Sequence, residues 1–145
     1  MADDRPFLVS DVPIQTVVQA ARARDNGEDA VIGTDAAGRI VYWNDQAARL
    51  YGWSVDEVLG RNVLDVMPTR RSGDAAAEIM EEMRAGSEWA GDFIVRRRDG
   101  SPMRAIVDNS VVSLGDVVVG FVGVSRPSMA NTPERGNSAR PPSVD

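Results

Sequence analysis

The chain has 145 residues, a formal net charge of −6, and neither cysteine nor histidine. One domain with its own core fits that length, and the acidic balance disfavours general nucleic-acid binding, which needs a basic field against phosphates. The missing side chains exclude disulfides, Cys/His zinc sites, thiol nucleophiles, Ser-His-Asp triads and haem held by His or Cys.

Every basic residue is arginine, so Schiff-base and P-loop lysine chemistry are excluded too. No apolar run approaches the roughly 20 residues of a membrane span. The start, MADDRPFLVSDVP, lacks the basic-then-apolar order of a signal peptide. The expectation is a cytoplasmic protein with no membrane and no nucleic-acid partner.

In chain order, residues 1–27 read as a lead-in followed by a helix that starts at Ser10 or Asp11, both good N-caps, with Pro13 in its first turn. Ile14, Val17, Val18 and Ala21 fall at i, i+3, i+4 and i+7, one narrow apolar stripe that wants a partner surface. Two short strands, residues 30–34 and 39–43, flank Asp35-Ala36-Ala37-Gly38, so they read as a hairpin. Asn44 caps a short helix that Gly52 closes. Ser54 to Glu57 has the form of a capping box and opens a second short helix. Residues 61–68 read as another helical turn ended by Pro68. A longer helix over 73–85 carries its own stripe, Ala76, Ile79, Met80 and Met83. Three antiparallel strands follow, at 89–97, 103–113 and 117–125, with Asp99-Gly100 and Leu114-Gly115-Asp116 as turns. From Pro127 the chain is rich in Pro, Ser, Asn and Gly, the composition of a disordered tail or linker.

Single residues divide between structural and functional readings. Asn44, Asp35 and Gly38 read as cap and turn formers. Asn109 shares strand parity with Met103, Ala105, Val107 and Val111, which places a polar group on an apolar face. Its partner is then a pocket ligand, or backbone or water. Trp43, Tyr51, Trp53 and Trp89 are core residues that could also stack on a planar group. The run Arg96-Arg97-Arg98 reads as a solvated hairpin tip. Glu81 and Glu82 are adjacent and do not face each other on a helix, so they make no acid/base pair. Asp92 and Asp108 remain as candidate pocket carboxylates.

The stretch from Asp29 to Pro68, DAVIGTDAAGRIVYWNDQAARLYGWSVDEVLGRNVLDVMP, resembles the N-terminal half of the PAS domain family. It has an apolar strand, T-D-x-x-G-x-I, an Asn ending the second strand, a Gly-aromatic pair and E-x-x-G. SEWAGDFIVRRRDGSPM is similar to the family's entry into its last three strands, and VVVGFVGVSR to its final strand. The resemblance runs over 28–126. It implies an α+β fold: a five-stranded antiparallel sheet in the order 2-1-5-4-3, short helices over one face enclosing a pocket, and an N-terminal flanking helix. The light-sensing LOV branch carries G-R-N-C, whose Cys bonds to flavin. This chain reads Gly60-Arg61-Asn62-Val63, and its Gly123-Val124 is followed by Ser125 where that branch has Gln. Covalent LOV photochemistry is therefore excluded, while non-covalent flavin is not. Trp89 before Ala90-Gly91 resembles flavin-containing redox sensors.

The resemblance implies a non-enzymatic sensory domain that binds a small ligand or a partner and signals through dimer or partner contacts, as in bacterial two-component signalling. The alternatives are a ligand-free interaction module and a redox sensor holding FAD or FMN without a covalent bond; the leading expectation is no cofactor and no metal. Pocket candidates are Trp43, Tyr51, Trp53, Asn62, Val63, Val107, Asn109 and Phe121. A homodimer is expected, either through Ile14, Val17, Val18 and Ala21 pairing between copies or elsewhere if that stripe folds back on its own sheet. Pro127 lacks the donor that a continuing strand needs, so output is expected from a downstream effector domain or a separate partner.

Overall fold

The computed structural model describes residues 4–68 and 73–128, with 4–11 described through their backbone. Helix α1 spans Asp4–Arg24. Strands β1 (Ala30–Asp35) and β2 (Ile40–Trp43) follow, then helices α2 (Asp45–Tyr51), α3 (Val55–Val58), α4 (Val63–Val66) and α5 (Gly73–Arg84). Strands β3 (Trp89–Arg96), β4 (Pro102–Leu114) and β5 (Val117–Pro127) complete the described chain. The five strands form one antiparallel sheet in the order β2-β1-β5-β4-β3. The expected tail lies largely outside the described residues.

Turn chemistry fixes the first hairpin. Asp35 accepts hydrogen bonds from the Ala37 and Arg39 backbone N–H groups at 3.0 and 2.8 Å, and Gly38 takes the positive φ of 95° that closes the turn. The outer edge of β2 is then covered by residues 60–63. Gly60 donates to the Ile40 carbonyl, and Ile40 donates to the Arg61 carbonyl, both at 2.9 Å. A sheet edge paired in this way offers no template for another chain.

Asn44 ties three elements together. Its Oδ1 accepts from Ala47 N, capping α2, and from Val31 N on β1, each at 2.9 Å. Its Nδ2 donates to the Asp29 carbonyl at 3.0 Å and to Asp25 Oδ1 at 3.1 Å, just past the end of α1. Asp25 also accepts from the Tyr42 hydroxyl at 2.8 Å and from Gly27 N at 3.0 Å. The Tyr42 bond is the main cause that holds the Asp25 carboxyl below its ordinary value, against the opposing effect of burial.

The sheet is covered on both sides. On the inner face, β1 and β2 join α2, α3 and α4 in a core built around Ile40, Trp43, Tyr51, Val58 and Val66. On the outer face lies α1, where Val17 and Ala21, both 0% exposed, pack on Val31, Val119 and Val122. Double coverage explains why residues 30–34 of β1 are all buried rather than alternating. The close approach of α1 requires a glycine beneath it. A Cβ on Gly120 would fall on the Thr34 carbonyl oxygen and come within 2.5 Å of Val17 Cγ2.

Three expectations are corrected here. Helix α1 begins at Asp4, so Ser10 and Asp11 lie inside it rather than capping it, and Pro13 is interior. The ladder omits the one bond that a nitrogen without hydrogen cannot make, and the helix continues through it. The apolar stripe turns inward: Val17 and Ala21 are consumed by the chain's own sheet, and Ile14 and Val18 are half-buried. Strand β5 runs to Pro127, which pairs with Ala105. Ser128 N donates to the Arg104 carbonyl on the β4 side, so alternation turns the Pro127 nitrogen toward the β1 side. Pairing with β1 has ended there, at Ala30–Ser125.

Asn44→Ala is expected to destabilise the fold by about 2–3 kcal/mol, more than an ordinary lost cap, because the Val31 and Ala47 N–H groups lose their acceptor together. Urea unfolding measures it; a loss near zero would dissolve the proposed tie. Val17→Asp is expected to cost several kcal/mol by placing an unpaired charge under α1. Its melting temperature should fall steeply, whereas a stripe used only between copies would leave monomer stability unchanged.

Candidate functional site

The helices over the inner face are too short to fill it. Between them and the sheet lies a cavity of about 130 Å³. Its floor is Ile32 and Thr34 on β1, Phe121, Gly123 and Ser125 on β5, Val107 and Asn109 on β4, and Trp89, Phe93 and Val95 on β3. Its roof is Tyr51 from α2, Val63 and Leu64 from α4, Met67 and Pro68, and the α5 stripe Ala76, Ile79, Met80 and Met83. The helical periodicity of α5 delivers that stripe to one side, and the strand period of two delivers the floor. Among the described residues no lining side chain is charged.

Polar groups are few and individually placed. Tyr51 Oη and Ser125 Oγ share a hydrogen bond of 2.6 Å that joins α2 to β5. Burial pushes the Tyr51 hydroxyl up to about 12, with the Ser125 bond acting weakly the other way. Thr34 is 5% exposed, and its Oγ1 has no hydrogen-bond partner. Asn109 is half-buried, and no hydrogen bond of its amide is seen among the described residues. Asn109 pairs with Gly123 across β4 and β5, and a Cβ on Gly123 would come within 2.5 Å of Asn109 Oδ1. The missing side chain at 123 is what gives the amide its place.

Of the residues singled out from sequence, Tyr51, Val63, Val107, Asn109 and Phe121 line the cavity. Trp43, Trp53 and Asn62 do not. Trp43 is packed in the β1–β2 core, and its Nε1 donates to the Trp53 carbonyl at 2.9 Å. Trp53 sits between the guanidinium groups of Arg61 and Arg98, 5.1 and 5.5 Å from its ring centre. Asn62 caps α4, accepting from Leu64 N at 2.9 Å, and reaches back to the Ala37 carbonyl at 3.1 Å. Asp92 and Asp108 are exposed and absent from the lining.

The arginine run is also corrected. Arg96 donates to the Asp65 carbonyl at 2.8 Å, Arg97 to Met103 Sδ at 3.1 Å, and Arg98 pairs with Glu57 at 2.7 Å. Together with Arg98 N donating to the Tyr51 carbonyl at 2.8 Å, the Arg96 and Arg98 bonds fasten the β3–β4 hairpin to the helical layer, while the Arg97 bond stays within the hairpin.

Thr34, Ser125 and the methionines were missed as site residues. In the sequence Thr34 and Ser125 read as the ends of strands. The α5 stripe was visible, but only as a face in need of a partner.

A five-stranded antiparallel sheet roofed on one face by short helices, with a half-open and mostly apolar cavity between them, defines the class of fold. The PAS fold family matches residues 17–127, and the chain belongs to it. PAS domains are in general sensory, non-catalytic modules of signal transduction. No curated protein matches the chain. Among solved structures it is similar to a PAS domain from Colwellia psychrerythraea, at 24% identity and a TM-score of 0.66, covering 77% of this chain and 95% of that one. A Rhodobacter sphaeroides LOV protein matches at 17% identity and a TM-score of 0.67, covering 84% and 73%. A PAS domain from a two-component sensor histidine kinase matches at 17% and 0.60, covering 77% and 95%. At these identities the likeness speaks for the fold. Among the described residues no helix is long and apolar enough to cross a membrane, and no acidic cluster could hold a metal.

Because Tyr51 is raised to about 12, the unfolded chain gives up this proton near 10 while the folded chain keeps it. Stability should therefore fall as pH rises from about 10 toward 12. Tyr51→Phe is expected to remove that component of the alkaline limb, read by urea titration at each pH; an unchanged alkaline limb would place the hydroxyl in water.

Proposed function

We propose that this PAS domain is a sensor that takes a small ligand into its inner cavity and relays the change through dimer or partner contacts. One observation carries the reading: a buried Thr34 hydroxyl without a partner on the wall of a mostly apolar cavity, which also presents the half-buried Asn109 amide. A buried polar group left unpaired costs about 1–3 kcal/mol, so a ligand that pairs with it binds with an advantage no apolar filler has. The ligand must favour one of two conformations, since equal affinity shifts nothing.

The relay has a physical route. Strand β5 carries Phe121, Gly123 and Ser125 along the cavity floor and leads to Pro127, from which the chain continues. A downstream effector or a partner at that exit fits the sensor histidine kinase likeness. With Val17 and Ala21 consumed inside the domain, contacts between copies would draw on what stays exposed, such as Val12, Leu114 and Val117.

The flavin reading fits less well. Val63 lines the cavity but carries no nucleophile, and the chain has no cysteine. An apolar cavity of about 150 Å³ takes one benzene ring, and sites for larger ligands begin near 300 Å³. At about 130 Å³ the half-open space would cover one ring and leave the rest of a three-ring system outside it.

Native mass spectrometry of the full chain, purified without supplement, is expected to reveal a sub-population with added mass and no flavin absorption in the visible. A single unliganded mass that no small molecule changes would favour the ligand-free interaction module. A yellow protein would restore flavin.

A further inference from the structure

The ligand's chemical class can be taken further, resting on the reading above. We infer that the cavity selects a neutral, single-ring aromatic molecule bearing one hydrogen-bonding group, with that group read by Asn109. Size, charge and wall chemistry each restrict the choice.

Size comes first. The cavity, about 130 Å³, is close to the volume at which an apolar protein cavity holds one benzene ring. Charge comes next. Among the described residues no lining side chain is charged at neutral pH, and Tyr51 holds its proton to about 12. A carboxylate or ammonium ligand would be desolvated with no counter-charge, which is prohibitive in such a setting. The wall then favours a ring over an aliphatic chain. Trp89 and Phe93 meet edge to face, with centres 6.1 Å apart and planes at 87°, and Phe121 adds a third ring on the floor. Met67, Met80 and Met83 supply thioethers from the roof, and sulfur–ring contacts add to area burial.

Asn109 supplies the selectivity. It is flanked by Trp89 on β3 and by the side-chain-free Gly123 on β5. Its amide offers both a donor and an acceptor, so it pairs with a hydroxyl, an amine N–H or a carbonyl on the ring. Thr34 lies beside Phe121, two residues along β5 from Gly123 and on the far side of that strand, so the two polar groups stand well apart. A single substituent reaches one of them, and the pairing of Asn109 with Trp89 of the aromatic wall makes it Asn109.

The full chain should be titrated with phenol, toluene and benzoate, read by tryptophan fluorescence and thermal shift. Phenol is expected to bind about tenfold more tightly than toluene, the worth of one hydrogen bond, and benzoate more weakly than either. Asn109→Leu, which keeps the branched shape without the amide, should bring phenol down to the level of toluene on the same variant. Gly123→Ala, which crowds the amide from the other side, should do the same, with a melting curve confirming that each variant folds. The wild-type comparison stands even if neither variant does. Benzoate binding as tightly as phenol, or phenol no tighter than toluene, overturns the inference. If no ring binds while the purified protein carries another added mass, this ligand class fails and the sensing function stands. If no ring binds and no mass is added, both fail.

Discussion

One side chain decides whether the inner and outer layers share a frame. Asn44 satisfies a strand N–H, a helix N-terminal N–H, a loop carbonyl and the carboxylate that follows α1. Two donors and one two-lone-pair acceptor are used completely. No other residue type offers that set at that length: aspartate keeps the acceptors but loses both donors and sets a second carboxylate against Asp25. Through this residue the end of α1, the start of α2 and the entry of β1 are fixed relative to each other before any apolar packing is counted.

That frame makes a sheet buried on both faces affordable for so short a chain, and it also creates the cavity. On the outer face one long helix meets a surface thinned by Gly33 and Gly120, so the fit is tight. On the inner face, short helices cross a wide sheet, and their curvature around the floor is set by fasteners at the rim. Arg96 and Arg98 hold the β3–β4 hairpin to α3 and α4, and Arg84 reaches the Ala36 carbonyl at 2.8 Å. Rim fasteners hold the roof above the floor without filling the space between. Interiors normally close such gaps, because each unfilled volume forfeits dispersion contacts. Here collapse is opposed from outside the cavity.

What the sequence made legible follows the range of the physics. Turns and caps are local, so Asp35, Gly38, Asn44, Gly52 and the Ser54–Glu57 box were readable where they stand. Strand parity puts Val107 and Asn109 on one face, where both line the cavity, because alternation needs no knowledge of the partner. Trp43 and Trp53 misled for the opposite reason. An aromatic is equally at home in a core, on an arginine or on a ligand, and only tertiary contacts tell these apart. Asn62 misled similarly, since an α4 cap and a pocket amide look alike in one dimension. The α1 stripe was visible, but whether it meets its own sheet or another copy depends on Gly33 and Gly120, far along the chain. The arginine run looked solvated because its acceptors, Asp65 and Glu57, lie on elements about 30 to 40 residues away.

Strand β5 draws these pieces into one mechanism for the proposed sensor. Its alternate residues serve different masters: Phe121, Gly123 and Ser125 face the cavity, while Gly120 and Val122 face α1. The pleat is rigid at this scale, so a ligand cannot press on Gly123 or compete for Ser125 without moving the surface on which α1 rests. Coupling of about 1–3 kcal/mol between the two faces would shift a population by roughly 5- to 150-fold, and one buried hydrogen bond lies in that range. A sensor built this way needs no long path between sites. In the proposed sensor the unpaired Thr34 hydroxyl would leave the empty cavity at a higher free energy than one filled by a ligand that pairs with it, and Thr34 stands against Phe121 on β5, the strand from which the chain continues.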